Sequence, residues 1–271
     1  MGLDVSLYKF TDYEATRKLE REASEEADRV WTDDYNSMTD EEKEASRQKS
    51  KDIYKSHGLD KHGEDSKRKE RIELDSKKYP KYYMKIGYFR SSYNSGGMNN
   101  VTDDAIGMTL YDVFPHEDGD YYIPVNWDEA LSAIKDMIRQ MKKIQREFPY
   151  RAECHKHNEF RNKDDHKVTD ERKALDVFKD HLKKHKENKK SFDAYSCGDG
   201  EFSIKEPRKI HAIIQGTHRN IFSNNETNPC TYLVYKMDYG FYIHSLEIVK
   251  ETIEYVLSQE SPEQYYLGWS S

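Results

Sequence analysis

The chain has 271 residues, enough for one large domain or a modest domain with an appendage. Only 35% of them are hydrophobic, as many are charged, and mean hydropathy is −1.08, so part of the chain is expected to be extended, strongly solvated or ordered only in an assembly. A net charge of −7 speaks against a double-helix binder, which needs a basic surplus, and suits a partner with a basic surface.

Residues 3–10 (LDVSLYKF) alternate apolar and polar, as a half-buried strand does. Met1-Gly2-Leu3-Asp4-Val5-Ser6 also fits a loose myristoylation pattern, but the alternation of Leu3, Val5 and Leu7 favours the strand. From Thr11 to Pro80 nearly every residue is charged or small. Stretches 12–31 and 39–56 have helix-forming content, and Thr39-Asp40-Glu41-Glu42 suits a capped start. These helices lack the apolar surface for a core of their own, so residues 11–80 read as a charged arm that docks on something, or as a disordered insert.

Residues 82–90 (YYMKIGYFR) read as a strand followed by a turn-rich loop, 91–97. Residues 120–125 (DYYIPV) read as a short strand, with Pro124 placing its end at a sheet edge. Asn126 and Glu129 make a capping pair, behind which Trp127, Ala130, Leu131, Ile134, Ile138, Met141 and Phe148 recur at helical spacing. Residues 149–208 read as a polar insertion containing a helix that starts at Thr169-Asp170-Glu171 and carries Leu175, Phe178 and Leu182. Strands are expected at 209–215, 230–236 and 239–243, then a helix from Ser245 and an aromatic tail, 265–271. The expected fold is α+β: a small, mostly antiparallel sheet with two covering helices, a charged helical N-terminal arm and a basic helical insertion. In chain order that is the first strand (1–10), the arm (11–80), the body (81–148), the insertion (149–208) and the rest of the body (209–271).

Candidate chemistry is sparse. Cys154, His155 and His157, with His166, have zinc-ligand chemistry but no second paired motif, and they also suit a solvated insertion that happens to hold histidines. Ser196-Cys197-Gly198-Asp199-Gly200 suits a tight turn; a nucleophilic Cys197 would need a base such as His211 or His218. Ser95-Gly96-Gly97 could offer amides to a phosphate but lacks a phosphate-loop context. Asp103, Asp104, Asp118 and Asp120 match no metal-ligand spacing. The stretch 161–190 holds eleven Lys or Arg; it could follow a nucleic-acid backbone, pair with the acidic arm of a neighbouring copy, or be a solvated helix face. No cofactor is called for. The cysteines (Cys154, Cys197, Cys230) are odd in number and widely spaced, so no disulfide framework is expected and a reducing cytoplasm is. No apolar run is long enough to span a bilayer.

The ends of the chain resemble a family of phage and prophage proteins, through Met1-Gly2-Leu3-Asp4 to Leu7-Tyr8, Tyr88-Phe89-Arg90 followed by Asn94, Gly119-Asp120-Tyr121-Tyr122-Ile123-Pro124, and the tail from Tyr265-Tyr266 to Trp269-Ser270. An extended arm ahead of a compact body also resembles the phage inhibitor of the Gabija anti-phage defence system, a family that encloses a nuclease–helicase assembly as an oligomer and keeps it from DNA. The resemblance implies a homo-oligomeric, non-enzymatic protein of the host cytoplasm. It would bind and inhibit a bacterial host or defence complex without itself binding nucleic acid or membrane. Tyr82, Tyr83, Tyr88, Arg90, Tyr93, Tyr121 and Tyr122 are the expected partner-binding residues, since aromatic anchors dominate interfaces. A sponge for a small nucleotide signal, using Arg90, the Gly96-Gly97 loop and the tyrosines, is the alternative. A metal-dependent enzyme using Cys154, His155, His157 or the acidic loop is the second.

Overall fold

The computed structural model describes residues 2–31, 37–72, 88–92, 97–115, 122–155, 168–184, 192–194, 208–219 and 227–270. The fold is α+β, with two antiparallel sheets where the sequence suggests one. The chain forms two compact units: Met1–Ser91, Val113–Ser132 and Ile248–Ser271 make the first, Ser92–Asp112 and Ala133–Glu247 the second.

In the first unit, β1 (Gly2–Phe10) pairs antiparallel with β9 (Tyr265–Ser270), Leu7 opposite Leu267 and Tyr8 opposite Tyr266. The aromatic tail is therefore an inner strand of the sheet. Its other edge pairs with β4 (Tyr122–Pro124), an edge strand that ends at Pro124, where a missing amide breaks no ladder. On the far side β1 pairs with β2 (Lys69–Arg71) and also with β3 (Tyr88–Ser92). Strand alternation puts Val5 and Leu7 on one face, both fully buried, and Tyr8 and Phe10 on the other. There Phe10 packs edge-on against Tyr13, Tyr122 and Tyr266, with ring centroids 5.1–5.2 Å apart. Gly268 is required beneath this layer: a Cβ would come within 2.6 Å of the Tyr8 ring and 3.0 Å of Tyr122.

Of residues 11–80, α1 (Tyr13–Asp28) and β2 pack into this unit. Helix α1 starts at Asp12, whose side chain accepts the Ala15 amide at 3.0 Å. Its buried stripe is Thr16, Glu20, Ala23 and Ala27, at i, i+4, i+7 and i+11. Tyr13 at its start stacks on Tyr266 of β9. Helix α2 (Asp40–Ser56) carries the expected capping box between Thr39 and Glu42, and none of its residues is buried.

The second unit is a sheet ordered β5-β8-β7-β6, all antiparallel: β5 (Tyr150–His155), β8 (Thr227–Lys236), β7 (Arg208–Arg219) and β6 (Phe192–Ala194). Helix α6 (Glu171–Lys184) covers one face, burying Ala174, Leu175 and Phe178 against Ala152, Tyr232 and Val234. Within 149–208, β5 and α6 supply the edge and cover of this core. Gly216 allows β7 to pass the backbone of Val168, whose carbonyl accepts the Thr217 amide at 2.8 Å.

The remaining helices are α3 (Met98–Ile106), α4 (Leu110–Val113), α5 (Trp127–Glu147) and α7 (Gly240–Leu257). Asn126 accepts the Glu129 amide at 3.3 Å at the start of α5. Residues 239–243, expected as a strand, instead begin α7. The Ile243 amide donates to the Tyr239 carbonyl at 3.0 Å, and Tyr239, Ile243 and Leu246 share one buried helical stripe. Among the described residues, no helix is long and apolar enough to cross a membrane.

Candidate functional site

The expected partner-binding residues divide three ways. Tyr82, Tyr83, Tyr93 and Tyr121 lie outside the described residues, and Tyr88 and Arg90 fall in β3. Tyr122 is 3% exposed and internal. Its hydroxyl accepts from Lys69 Nζ at 3.0 Å, and the Arg17 guanidinium lies 5.0 Å from its ring centroid. It is a packing residue, not a surface anchor.

Lys69 is the centre of a buried polar knot. Its ammonium donates to Glu20 at 2.7 Å and lies 3.4 Å from Glu64, with the Tyr122 ring 5.2 Å away. Asp65, 1% exposed, accepts from Arg68 Nε at 2.6 Å, and its amide donates to Glu20 at 3.1 Å. A buried lysine is tolerated only when paired, and here two carboxylates and a hydroxyl surround it. The outer surface of α1 is acidic toward its end. Glu22, Glu25, Glu26 and Asp28 are all exposed in the C-terminal half of α1, and its last turn has no basic residue. Negative charge at a helix C-terminus opposes the helix dipole, so this arrangement costs local stability. The first unit has 21 Lys and Arg against 30 Asp and Glu; the second has 23 against 21.

In the second unit, α3, α5 and α6 enclose a cleft of about 810 Å³. Its walls present Arg139, Lys143 and Glu147 from α5, and Arg172, Asp176 and Lys179 from α6. Ile106, Ile144, Phe148 and Leu175 supply apolar lining, and Lys179 sits 5.5 Å from the Phe148 ring centroid. Asp104 also lines it and accepts from Arg151 Nε and Nη2 at 3.1 and 2.9 Å. Burial pushes the Asp104 carboxyl up to about 6, against the pull of Arg151. Burial likewise raises Glu171. The sequence signal for this cleft was helical-face spacing, 139, 143 and 147 on one helix and 172, 176 and 179 on another. It became legible only with α3, through Asp104, Ala105 and Ile106, placed beside the two helices.

The metal and nucleophile candidates come apart. Cys154 and His155 lie in β5, Cys154 packing half-buried on the α6 side. His157, His166, Asp118, Asp120, Ser95, Gly96 and 196–200 lie outside the described residues. Gly97 is the N-cap of α3. Asp103 and Asp104 are engaged by Arg172 and Arg151. His211 packs edge-on against Tyr150. Among the described residues no three His, Cys, Asp or Glu are placed to hold a metal ion. No protein-family model matches the chain, and neither a curated protein nor a solved structure does.

Proposed function

We propose that the protein is a stoichiometric, phage-encoded inhibitor that uses the acidic outer surface of α1 to cover a basic surface on a bacterial host or defence complex, Gabija being the named candidate. The carrying observation is that this surface breaks a local rule of helix stability without an internal gain. Glu25, Glu26 and Asp28 crowd a helix C-terminus where cations belong, with Glu22 one turn earlier; Glu26 meets His57 at 2.8 Å and Glu22 lies 3.9 Å from Lys18. Beside them stands a 17-residue helix with no buried residue. Sequences depart from local consistency in this way chiefly where function demands it. A surface that engages nucleic acid is basic, so an acidic face competes for it and blocks nucleic-acid engagement. The resemblance to phage proteins supplies the biological setting.

The test is phage plating on bacteria carrying the defence system. Co-expressed wild-type protein should restore plating, and the variant Glu22→Lys with Glu25→Lys should not. Glu25→Lys places a cation in the last turn, where the dipole favours it, while Glu22→Lys gives up the ion pair with Lys18; with the fold of the variant checked by circular dichroism, loss of inhibition then reports loss of contact. A variant that inhibits as well as wild type would remove this surface from the account. Deletion of 11–80 would be uninformative, because it removes β2, Glu20, Asp65 and Lys69 from the first unit.

A further inference from the structure

We infer that the cleft between α5 and α6 in the second unit is a binding site for a small ligand with one anionic end and one flat apolar end, an aromatic phosphate by class. The site is independent of the acidic surface of the first unit. At about 810 Å³ it falls within the roughly 300–1,000 Å³ of small-ligand sites. Phe148, Ile144 and Leu175 offer a flat group an apolar resting place, and Lys179 already lies over the Phe148 ring.

The charge around that place has a surplus at one point. Arg139 and Arg172 are engaged by Asp136 and Asp103, neither of which lines the cleft. Glu147 accepts from Arg146 at 2.6 Å, which holds its carboxyl below the ordinary range, with the charges of Lys143, Arg146 and Lys179 adding to the effect. One carboxylate therefore faces three cations, and among the described residues the Lys143 and Lys179 ammonium groups have no hydrogen-bond or ion-pair partner. Two exposed ammonium groups beside an apolar surface give a terminal phosphate two charge-assisted donors. Asp176 on the α6 wall disfavours a chain charged along its whole length, such as a nucleic-acid strand, and leaves an acceptor for a ligand N–H.

The experiment is a fluorescence titration of the full chain with N-methylanthraniloyl-ATP, followed by competition with ATP, adenosine and tripolyphosphate. Saturable binding is expected, with ATP displacing the probe at concentrations at least tenfold below those of adenosine or tripolyphosphate. Lys143→Glu combined with Lys179→Glu should weaken binding at least tenfold. Lys183→Glu, on α6 outside the cleft, should leave it unchanged, with circular dichroism confirming the fold of both variants. Absence of saturable binding, unchanged affinity in the double variant, or tripolyphosphate competing as well as ATP would each overturn the assignment.

Discussion

The two units bury their interiors by different means. The second is conventional, a four-stranded sheet whose alternate residues Ala152, Tyr232 and Val234 meet Leu175 and Phe178 of a covering helix. The first buries an aromatic layer around Phe10 and seals it with charges, Lys69 against Glu20 and Asp65 against Arg68. Apolar burial tolerates imperfect substitution, whereas a buried ion pair fails when one partner is removed. The contrast also runs through the surfaces: the acidic excess belongs to the first unit, while the second is nearly balanced. A chain poor in apolar residues can thus build two compact units if one of them substitutes polar pairing for hydrophobic core.

That contrast can be broken most forcefully at Lys69. Lys69→Met leaves Glu20 with Arg17 as its remaining cation and should cost up to about 3 kcal/mol in denaturant unfolding, with hydrogen exchange rising in β1, β2 and α1 first. Adding Glu20→Met should recover much of the loss; a single variant within 1 kcal/mol of wild type would show that the polar knot does not hold the unit. Phe178→Ala is the counterpart in the second unit, expected to cost about 3–4 kcal/mol and to raise exchange in β5, β8 and α6.

The next effect is a pH dependence of opposite sign to ordinary acid denaturation. The folded Asp104 carboxyl titrates at about 6, above the unfolded value near 3.9. The folded state therefore holds this proton more tightly. Its contribution is fully present below the unfolded value and is lost as pH rises through 6. Relative to Asp104→Asn, wild type should gain up to about 3 kcal/mol between pH 8 and pH 4. Parallel stability curves for the two proteins would refute the assignment. Smallest is Gly268→Ala, where the added methyl meets the Tyr8 ring and should cost about 1–3 kcal/mol; an unchanged melting temperature would mean that the aromatic layer yields freely.

Periodicity made much of the fold legible. The alternation in 3–10, the Thr39–Glu42 box, the helix after Asn126 and the edge position of Pro124 all correspond to observed elements. What escaped was structure whose pairing lies far away in sequence. β2 is Lys-Glu-Arg, and nothing local reveals that Lys69 turns inward to meet Glu20. β5 does alternate, Tyr150, Ala152 and Cys154 against Arg151, Glu153 and His155, but its outward Arg151 reads as solvated until Asp104 is placed beside it. The aromatic run 239–243 has strand propensity, yet the spacing of Tyr239, Ile243 and Leu246 continues the stripe of α7 and tertiary burial decides the conformation. Of the candidate site, the acidity of α1 was visible; its conflict with the helix dipole became so only with the helix end in view.

The central claim is that the acidic face of the first unit binds a basic partner surface, and side-by-side affinity capture tests it most directly. Tagged wild type and the Glu22→Lys, Glu25→Lys variant would be expressed in the bacterial host, recovered, and compared by native mass and peptide identification. The account predicts one dominant host complex at fixed stoichiometry with wild type, and its loss with a variant that keeps the wild-type fold by circular dichroism. Equal recovery of the complex by both proteins, or no complex with wild type, would contradict it.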